Sequence, residues 1–518
     1  MERSYEEILV EALISKKGRP FATMTDAYKW SMAQAGFPLR RETFYLVLRR
    51  GGPYYIPFDL KKIVQLLLPD LPGTKEQGFL QANGYGMSGA MEKALSGSVE
   101  VWAAPKGSWV LAKEPILTVT GPSFLVSWLE PLLIMLQYPI QVATAYVGGE
   151  TTFPAVCFDE VKLLGAVAGA VREDYARNPM TIPVDEQGYR DRVRENALKV
   201  VAALGGDAHR AFEVGLRGAN TMRQHLIALE ELKKVGVNQT SNVYGAWVLY
   251  MIPVGTTGHE HQMRWGNDEA GFRAIRDMRP ETPSYLFDTN DPCRLGIPAA
   301  LAVMYEEPDR PCTFRFDSGD QDNQFLQIRR GCSRNTESIL HEQGLLPTLP
   351  PMVIVPNLIF EDSYDDVKTV KNEAFCDAQE WPRDKRRYGY GGFWISRTHP
   401  TPYTRDVCSS CYKLTYSNGA TQKFSGSPGK DSVPGKPVIL RWVKVPDHIE
   451  ATYMGDSLIA QEGESIVGYI RLDRLTGKEL RTVPLDSTYS PQTEVLRTRL
   501  REERDARVIE GSSLVAAE

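Results

Sequence analysis

The spacing of hydrophobic residues changes character along this chain of 518 residues. Between about residues 140 and 400, segments with apolar residues at helical spacing alternate with short runs of β-branched and aromatic residues. The helical segments cover 159–177, 191–204, 218–235 and 267–278, and the β-type runs cover 243–254, 284–288, 312–316 and 352–355. This alternation predicts an α/β fold with a parallel sheet, of which a barrel is one form.

The regions on either side of this alternating part have a different pattern of hydrophobic and polar residues. Residues 1–20 predict an amphipathic helix, Thr25 or Asp26 could cap a second helix, and β-type runs lie within 43–50 and 98–120. A long apolar helix is expected from Phe124 to about Leu136, ending at Tyr138-Pro139. Beyond residue 400 the composition predicts short antiparallel strands, followed by a charged helix over Thr493–Glu510.

The clearest candidate for chemistry is the segment in which a β-type run meets Gly255-Thr256-Thr257-Gly258 and then His259. Glycines allow the backbone to turn sharply and a ligand to approach it closely. A histidine at a strand exit can act as a nucleophile or proton carrier. On this segment alone, a surface histidine is the alternative. Three further strand exits carry arginines or carboxylates: 213–218, 287–291 and 314–320. Because such exits meet at the mouth of a barrel, together they predict a phosphate-handling site.

Composition narrows the class of protein. The chain is 42% hydrophobic and 24% charged, with a formal net charge of -5, which indicates neither a nucleic-acid partner nor a basic membrane surface. No apolar run approaches the roughly 18 residues that span a bilayer, and the amino terminus lacks a signal-peptide core. Seven cysteines predict reduced thiols, and the lone pair Cys408-x-x-Cys411 is weak evidence for zinc. A cytoplasmic enzyme is expected.

Short motifs follow one another in a recognisable order from about Thr23 to Arg441. They are Thr25-Asp26-x-Tyr28-Lys29, Tyr138-Pro139-Ile140-x-Val142-Ala143-Thr144, Gly215-Leu216-Arg217-Gly218-Ala219, Thr240-Ser241-Asn242-Val243, Gly255-Thr256-x-x-His259, Phe287-Asp288-Thr289, Arg315-x-Asp317-Ser318-Gly319-Asp320, Gly391-Gly392, Tyr412-Lys413-Leu414, Lys423-Phe424-Ser425 and Pro434-Gly435-Lys436. Each motif is weak alone. In this order they resemble the nicotinate phosphoribosyltransferases and the related nicotinamide phosphoribosyltransferases.

The resemblance implies a reaction and a fold. The family joins nicotinate to 5-phosphoribosyl-1-pyrophosphate, giving nicotinate mononucleotide and pyrophosphate in NAD biosynthesis, with Mg²⁺ and with ATP hydrolysed through a phosphohistidine. The implied fold is the irregular α/β barrel of type II phosphoribosyltransferases over 146–400, beside an α/β sandwich built from 1–145 and 401–518. A homodimer is also implied, in which the Asp26–Tyr28 loop of one subunit covers the barrel mouth of the other.

The resemblance also assigns roles to residues. His259 matches the phosphorylated histidine and Asp288 the carboxylate that orients its ring. The residues matched to substrate binding are Asp26, Tyr28 (stacking on the pyridine ring), Arg217, Ser241, Arg315, Asp317, Gly391 and Gly392. Those matched to ATP and pyrophosphate are Arg50, Arg405 and Lys413, and no residue is assigned to a metal. Physically, one imidazole nitrogen would attack the γ-phosphorus while a carboxylate at the other fixes the tautomer.

The choice between acid and amide substrates depends first on Ser241. Nicotinamide enzymes have an aspartate there, which accepts from the amide and would repel nicotinate, whereas a serine hydroxyl can donate to an acid. Gly255-Thr256 and Asp320 also favour the acid. Residues 138–144 and 404–406 are closer to the amide branch. Nicotinate is therefore the favoured substrate and nicotinamide the alternative.

Two departures from the family pattern leave other functions open. Val214 stands where the amide branch has a stacking phenylalanine. Pro356-Asn357 replaces a small-residue pair expected after the β-type run 352–355, and proline has no N–H to offer a phosphate. The rivals are a non-catalytic nucleotide-binding homologue, the quinolinate enzyme, which decarboxylates its substrate without ATP, and an enzyme for another aromatic acid. A non-catalytic protein would have no need of a nucleophile at His259.

Overall fold

The computed structural model describes residues 3–279, 281, 283–333, 341, 343–424, 432–445, 448–453, 464–472, 479–482 and 491–515. Its helices are α1 Tyr5–Ile14, α2 Ala27–Gln34, α3 Leu60–Leu66, α4 Thr74–Ala82, α5 Gly89–Leu95, α6 Ser123–Trp128, α7 Glu130–Met135, α8 Gln137–Val147, α9 Phe158–Asp174, α10 Glu186–Ala203, α11 Met222–Lys234, α12 Val243–Leu249, α13 His259–Trp265, α14 Asp268–Met278, α15 Ile297–Glu306, α16 Gln321–Gly331, α17 Asp366–Ala378, α18 Arg405–Cys408 and α19 Pro491–Val515. Its strands are β1 Arg41–Val47, β2 Tyr54–Tyr55, β3 Glu100–Ala103, β4 Trp109–Val110, β5 Pro115–Pro122, β6 Ala211–Glu213, β7 Gln239–Thr240, β8 Ile252–Pro253, β9 Ser284–Leu286, β10 Thr313–Phe316, β11 Asn357–Phe360, β12 Arg386–Tyr390, β13 Cys411–Ser417, β14 Lys436–Val445, β15 His448–Tyr453, β16 Glu464–Leu472 and β17 Glu479–Thr482.

The predicted parallel sheet is present and is curled into a half-barrel. Its seven strands lie in the order β8-β7-β6-β12-β11-β10-β9, and every pair within it is parallel. Helices connect successive strands, as a parallel arrangement requires. Within the described part of the chain, no pairing joins β8 to β9. The carboxyl ends of all seven strands therefore face one side, and the loops that follow them form the mouth of the half-barrel.

A second sheet brings the two ends of the chain together. Its order is β13-β1-β5-β3, and Phe44 at its centre pairs with Leu414 on one side and Val119 on the other. β1 is buried from its second residue onward: α6 packs against it, and Tyr45 and Val47 pack with Cys411 and Val433. Both the α/β fold class and a sandwich formed from both chain ends are confirmed.

The apolar helix runs further than the sequence indicates. α6, α7 and α8 follow one another from Ser123 to Val147, and Pro139 lies in the first turn of α8, where a missing N–H costs nothing. The prediction of an end at Tyr138-Pro139 is therefore wrong. This stretch of 25 residues, with a mean hydropathy of 1.3, is long and apolar enough to cross a membrane, but its most apolar window is entirely buried within the protein. Full burial is typical of a core helix.

Two β-type runs of the sequence form other structures. The run 243–254 contains helix α12, which Asn242 begins by accepting a hydrogen bond from the backbone N–H of Gly245, and only Ile252–Pro253 is extended. A buried helix and a buried strand share the same apolar pattern, so the prediction of one long strand failed. The run 352–355 lies before the strand; β11 starts at Asn357, which pairs with Thr313.

Candidate active site

His259 lies at the mouth of the half-barrel, in the first turn of α13 and directly after the glycine-threonine loop that follows β8. Its Nδ1 is 3.1 Å from the Thr289 hydroxyl and 3.7 Å from a carboxylate oxygen of Asp288. Its Nε2 is 2.7 Å from Nζ of Lys423 and 3.1 Å from a carboxylate oxygen of Asp317. The structure thus brings the loops after β8, β9 and β10 together around one imidazole.

The surroundings of His259 favour a neutral ring. Burial and the positive charge of Lys423 lower its pKa, and Asp288 and Asp317 only partly oppose this. Nε2 has two competing partners, since the Lys423 ammonium can only donate and the Asp317 carboxylate can only accept. We assign the lone pair to Nε2 because the contact with Lys423 is the shorter, at 2.7 Å against 3.1 Å. The remaining proton then lies on Nδ1, beside Thr289 and Asp288. A neutral imidazole whose lone pair faces a cavity has the form a nucleophile requires once Lys423 moves from it.

Arg315, in β10, joins two of the loops at the mouth. It donates to the Thr256 hydroxyl at 2.7 Å and to Glu361 at 2.8 Å, and it also bonds to the backbone carbonyl of Thr257. Burial raises the pKa of Glu361. Burial would also raise the pKa of Asp317, but His259 and Arg315 outweigh it and hold that pKa well below its usual range. Asp317 therefore remains ionised beside the imidazole.

A cavity of about 390 Å³ extends from the mouth into the half-barrel. Its upper wall includes Tyr28, Val214, Arg217, Ser241 and Arg315, and it continues down to residues at the starts of the strands. We call it the ring pocket. Val214, at the position where the resemblance expects a phenylalanine in the amide branch, forms part of its wall.

Asp26 and Ser241 interact directly behind the ring pocket. Asp26 precedes α2, but its side chain makes no capping bond and instead accepts a hydrogen bond of 2.6 Å from the Ser241 hydroxyl. Burial raises the pKa of Asp26, and Nε of Arg217 lies 3.7 Å from its other oxygen. The reading of Asp26 as a helix cap is wrong. The Ser241 hydroxyl already donates to Asp26, which weakens the argument that it donates to an acid substrate.

Tyr28 reaches the site from its own chain. Asn242 forms a β-bridge with Asp26, and the Ala27 N–H donates to the Ser241 carbonyl at 2.7 Å, which fastens the start of α2 to the mouth of the same half-barrel. The Tyr28 hydroxyl donates to Glu130 at 2.9 Å. The sequence resemblance placed this loop over the mouth of a second subunit. The structure places it over the mouth of its own.

A second and wider cavity of about 510 Å³ opens beside the ring pocket, and we call it the anion cavity. Its wall contains His259, Asp317, Gly391 and Gly392, together with a group of cationic side chains: Arg49, Arg50, Arg397, Arg405, Lys413 and Lys423. Burial, Lys423 and Arg49 lower the pKa of Lys413 to about 8, and burial lowers that of Arg405. Crowded cations with lowered pKa values are stabilised by an anionic ligand.

Pro356 does not follow the strand, as the sequence analysis expected. Pro356 precedes the strand, so its missing N–H is remote from the mouth. The residues that follow the strand are Glu361, Asp362 and Ser363, all of which line the anion cavity. Asp362 and Ser363 both adopt positive φ, at 79° and 58°. The doubt about a phosphate contact was therefore attached to the wrong position.

Both cavities share a short boundary, and the sequence left several residues around them without a role. Tyr28, Val214, Arg217, Arg315 and Glu361 line both cavities. Glu361, Lys423, Lys29 and Glu130 had been assigned no function. Lys423 and Lys29 lie within matched motifs, and Glu130 is a carboxylate inside an apolar run. These three residues could therefore have been predicted from the sequence as members of the site. All seven cysteines are free thiols, and Cys408 and Cys411 are buried without a metal cluster among the described residues.

Two plant proteins and several solved structures are similar to this chain. No protein-family model matches the chain. Nicotinate phosphoribosyltransferase 2 of Arabidopsis thaliana is 32% identical over 150 residues, and nicotinate phosphoribosyltransferase 1 of the same plant is 32% identical over 133 residues. These matches span 26% and 23% of this chain, and 27% and 24% of the relatives. The chain thus matches about a quarter of each relative's length.

Solved structures extend the likeness to most of the chain. The nicotinate phosphoribosyltransferase of Porphyromonas gingivalis superposes with a TM-score of 0.53 at 16% identity, covering 80% of this chain and 95% of that one. The enzyme of Vibrio cholerae gives 0.53 at 16% identity, covering 82% and 92%. The fold predicted from the sequence is therefore confirmed, and the sequence similarity to two nicotinate phosphoribosyltransferases covers about a quarter of the chain.

Proposed function

We propose that this chain, which has the fold of the nicotinate phosphoribosyltransferases, joins nicotinate to 5-phosphoribosyl-1-pyrophosphate and hydrolyses ATP through a phosphohistidine at His259. The products would be nicotinate mononucleotide and pyrophosphate, on a route to NAD. The observation that carries the proposal is the His259 ring, with one nitrogen beside Asp288 and the other facing a cavity walled by cations.

The phosphoryl step follows from the two sides of that ring. Nε2 attacks the γ-phosphorus of ATP, a P–N bond forms, and the bond to the β-γ bridging oxygen breaks with its electrons leaving on ADP. The Nδ1 proton stays in place, and Asp288 stabilises the positive charge that develops on the ring. Lys423 lies where it can move from Nε2 to the transferring phosphoryl oxygens. Water later releases phosphate and restores the neutral ring.

The glycosyl step belongs at the boundary of the two cavities. The ring nitrogen of nicotinate bonds to C1 of the ribose while pyrophosphate leaves with the electrons of the C1–O bond. Tyr28 and Arg217 would hold the pyridine ring, and the cations of the anion cavity would take the diphosphate. Positive charge grows on the ribose as the bond breaks, and the carboxylates Asp317 and Glu361 lie on that side.

Magnesium fits part of this site. His259, Asp288 and Asp317 offer atoms within 4.8 Å of one another. Mg²⁺ prefers oxygen ligands and keeps several waters, so the carboxylates suit it and the imidazole does not. We propose that Mg²⁺ arrives with the polyphosphate and neutralises its charge, with Asp317 as the nearest protein carboxylate.

Two further expectations remain proposals. The seven free thiols support a reducing, cytoplasmic location. A homodimer is also proposed, but Asp26 and Tyr28 already lie in their own chain's pocket. A partner subunit would therefore cover the mouth without supplying these residues.

Nicotinamide is the second candidate substrate, favoured by one observation. The Asp26 carboxylate is 2.6 Å from the Ser241 hydroxyl, so a carboxylate stands close to the place where the amide branch carries its aspartate. Arg217 and the raised pKa of Asp26 both reduce the negative charge at the Asp26 carboxylate. Nicotinate therefore remains the favoured substrate.

The decisive experiment measures product formation from 5-phosphoribosyl-1-pyrophosphate with nicotinate, nicotinamide or quinolinate, each with and without Mg-ATP. Nicotinate mononucleotide formed faster with ATP is the expected result. Nicotinamide mononucleotide as the main product would identify nicotinamide, and not nicotinate, as the substrate. Decarboxylation of quinolinate, or no product from any of the three, would refute the proposed function.

A further inference from the structure

A completely buried lysine lies between the ring pocket and the anion cavity. The Lys29 side chain is 0% exposed, and its Nζ lies 2.7 Å from Glu260 and 2.5 Å from Glu130. Burying a charge is costly unless it is paired, so two carboxylates on different helices are held close to this ammonium group. Lys29 therefore ties α2 to both α7 and α13.

Each carboxylate leads to a different part of the site. Glu260 is the residue after His259 and also accepts from the Ser127 hydroxyl at 2.6 Å. Glu130 accepts from the Tyr28 hydroxyl on the same oxygen that faces Lys29, and its other oxygen is 3.6 Å from Arg217. The chain Glu260–Lys29–Glu130 thus connects the backbone of the phosphate acceptor to the two side chains that flank the ring pocket.

We propose that Lys29 is a positioning residue that couples occupation of the anion cavity by nucleotide to binding of the pyridine ring. The inference deepens the proposed function and rests on it. Nucleotide bound against His259 brings negative charge to the start of α13, beside Glu260. In a buried site this charge alters the attraction between Glu260 and Lys29. Lys29 in turn alters the interactions of Glu130 with Tyr28 and Arg217.

Such coupling has a measurable definition. If nucleotide changes the affinity for nicotinate by a factor, nicotinate must change the affinity for nucleotide by the same factor. Typical coupling factors are about 5 to 150. A residue that transmits the coupling changes this factor when it is replaced, whereas a residue that only supports the fold changes both affinities and leaves the factor intact.

The test is equilibrium dialysis of radiolabelled nicotinate with and without the non-hydrolysable β,γ-imido analogue of ATP and Mg²⁺. Wild type should bind nicotinate at least about fivefold more tightly with the analogue. Lys29→Met should bring the factor close to one. Glu260→Gln removes the carboxylate charge that pairs with Lys29 and should also bring the factor close to one. This second variant keeps the test valid if Lys29→Met does not fold.

Arg210→Met is the matched control. Arg210 is another buried cation, paired with Glu373 on the outside of the half-barrel, so its loss should lower stability and leave the factor within about twofold of wild type. A wild-type factor of one, or wild-type factors in Lys29→Met and Glu260→Gln, would overturn the inference alone. Absence of nicotinate binding to the wild type in either condition would overturn the proposed substrate and the inference together.

Discussion

Replacing Lys423 with methionine should shift the pH dependence of ATP hydrolysis to higher pH. Methionine fills a similar volume but has no charge, so the positive group beside Nε2 of His259 is lost while packing is largely kept. Asp288 and Asp317 stay, and both favour a protonated ring. The pKa of His259 should therefore rise, and a protonated ring cannot attack phosphorus.

The size of the shift follows from the distance between the two nitrogens. At 2.7 Å, two unit charges repel by about 1.5 kcal/mol at the dielectric constant of water and by about 6 kcal/mol at an effective value of about 20. One pKa unit corresponds to about 1.36 kcal/mol. Removal of Lys423 should then raise the pKa of His259, and with it the midpoint of the pH profile, by about one to four units.

The assay is ATP hydrolysis at saturating Mg-ATP between pH 5.5 and 9.5, with the His259 pKa read in parallel by nuclear magnetic resonance of ¹⁵N-histidine. Lys413→Met is the control, because Lys413 lines the same cavity but does not bond to His259 in the described structure. It should raise KM for ATP without moving the midpoint. A Lys423→Met enzyme with an unchanged midpoint and resonance would refute the assigned Nε2 lone pair.

Three further outcomes are expected. His259→Ala should reduce ATP hydrolysis by about 1,000-fold or more while slow phosphoribosyl transfer persists, measured as phosphate release against mononucleotide formation; full ATP stimulation would remove the assignment of His259. Ser241→Asp should weaken nicotinate binding by about tenfold to a hundredfold, because a second carboxylate joins Asp26 at the pocket; an unchanged ratio of nicotinate to nicotinamide kcat/KM would contradict this. Removal of Mg²⁺ by chelation should abolish both reactions, with recovery on adding Mg²⁺; activity that survives chelation would exclude a required metal.

The sequence predicted the fold class well because a parallel sheet has a strong pattern. Buried helices between short apolar strands can be read from periodicity, and the helices 158–174, 186–203, 222–234 and 268–278 lie close to their predicted ranges. One failure follows from composition: Val243–Leu249 is apolar at nearly every position, so its periodicity could not distinguish a helix from a strand. β12 was missed for the opposite reason, since it carries two arginines and a glycine.

The candidate site was predictable in its members but not in their contacts. Motif order placed His259, Asp288 and Asp317 together, and the structure brings them within reach of one another. Which side chain faces which ring nitrogen depends on loops that are far apart in the sequence, and Lys423 comes from a segment 164 positions after His259. Likewise, no pattern indicates that Asp26 would turn from its helix to Ser241.

The division of the mouth into two cavities limits where the glycosyl bond can form. In the proposed reaction the pyridine ring would enter the ring pocket and the diphosphate would lie among the cations. The ribose carbon C1, which passes from the diphosphate to the ring, would then lie at their shared wall. Arg315 and Glu361 meet on that wall at 2.8 Å, where the arginine neutralises a carboxylate that burial would otherwise protonate. A carboxylate kept available beside a ribose that becomes positively charged favours the transition state over the bound substrates, and that difference is what accelerates the reaction.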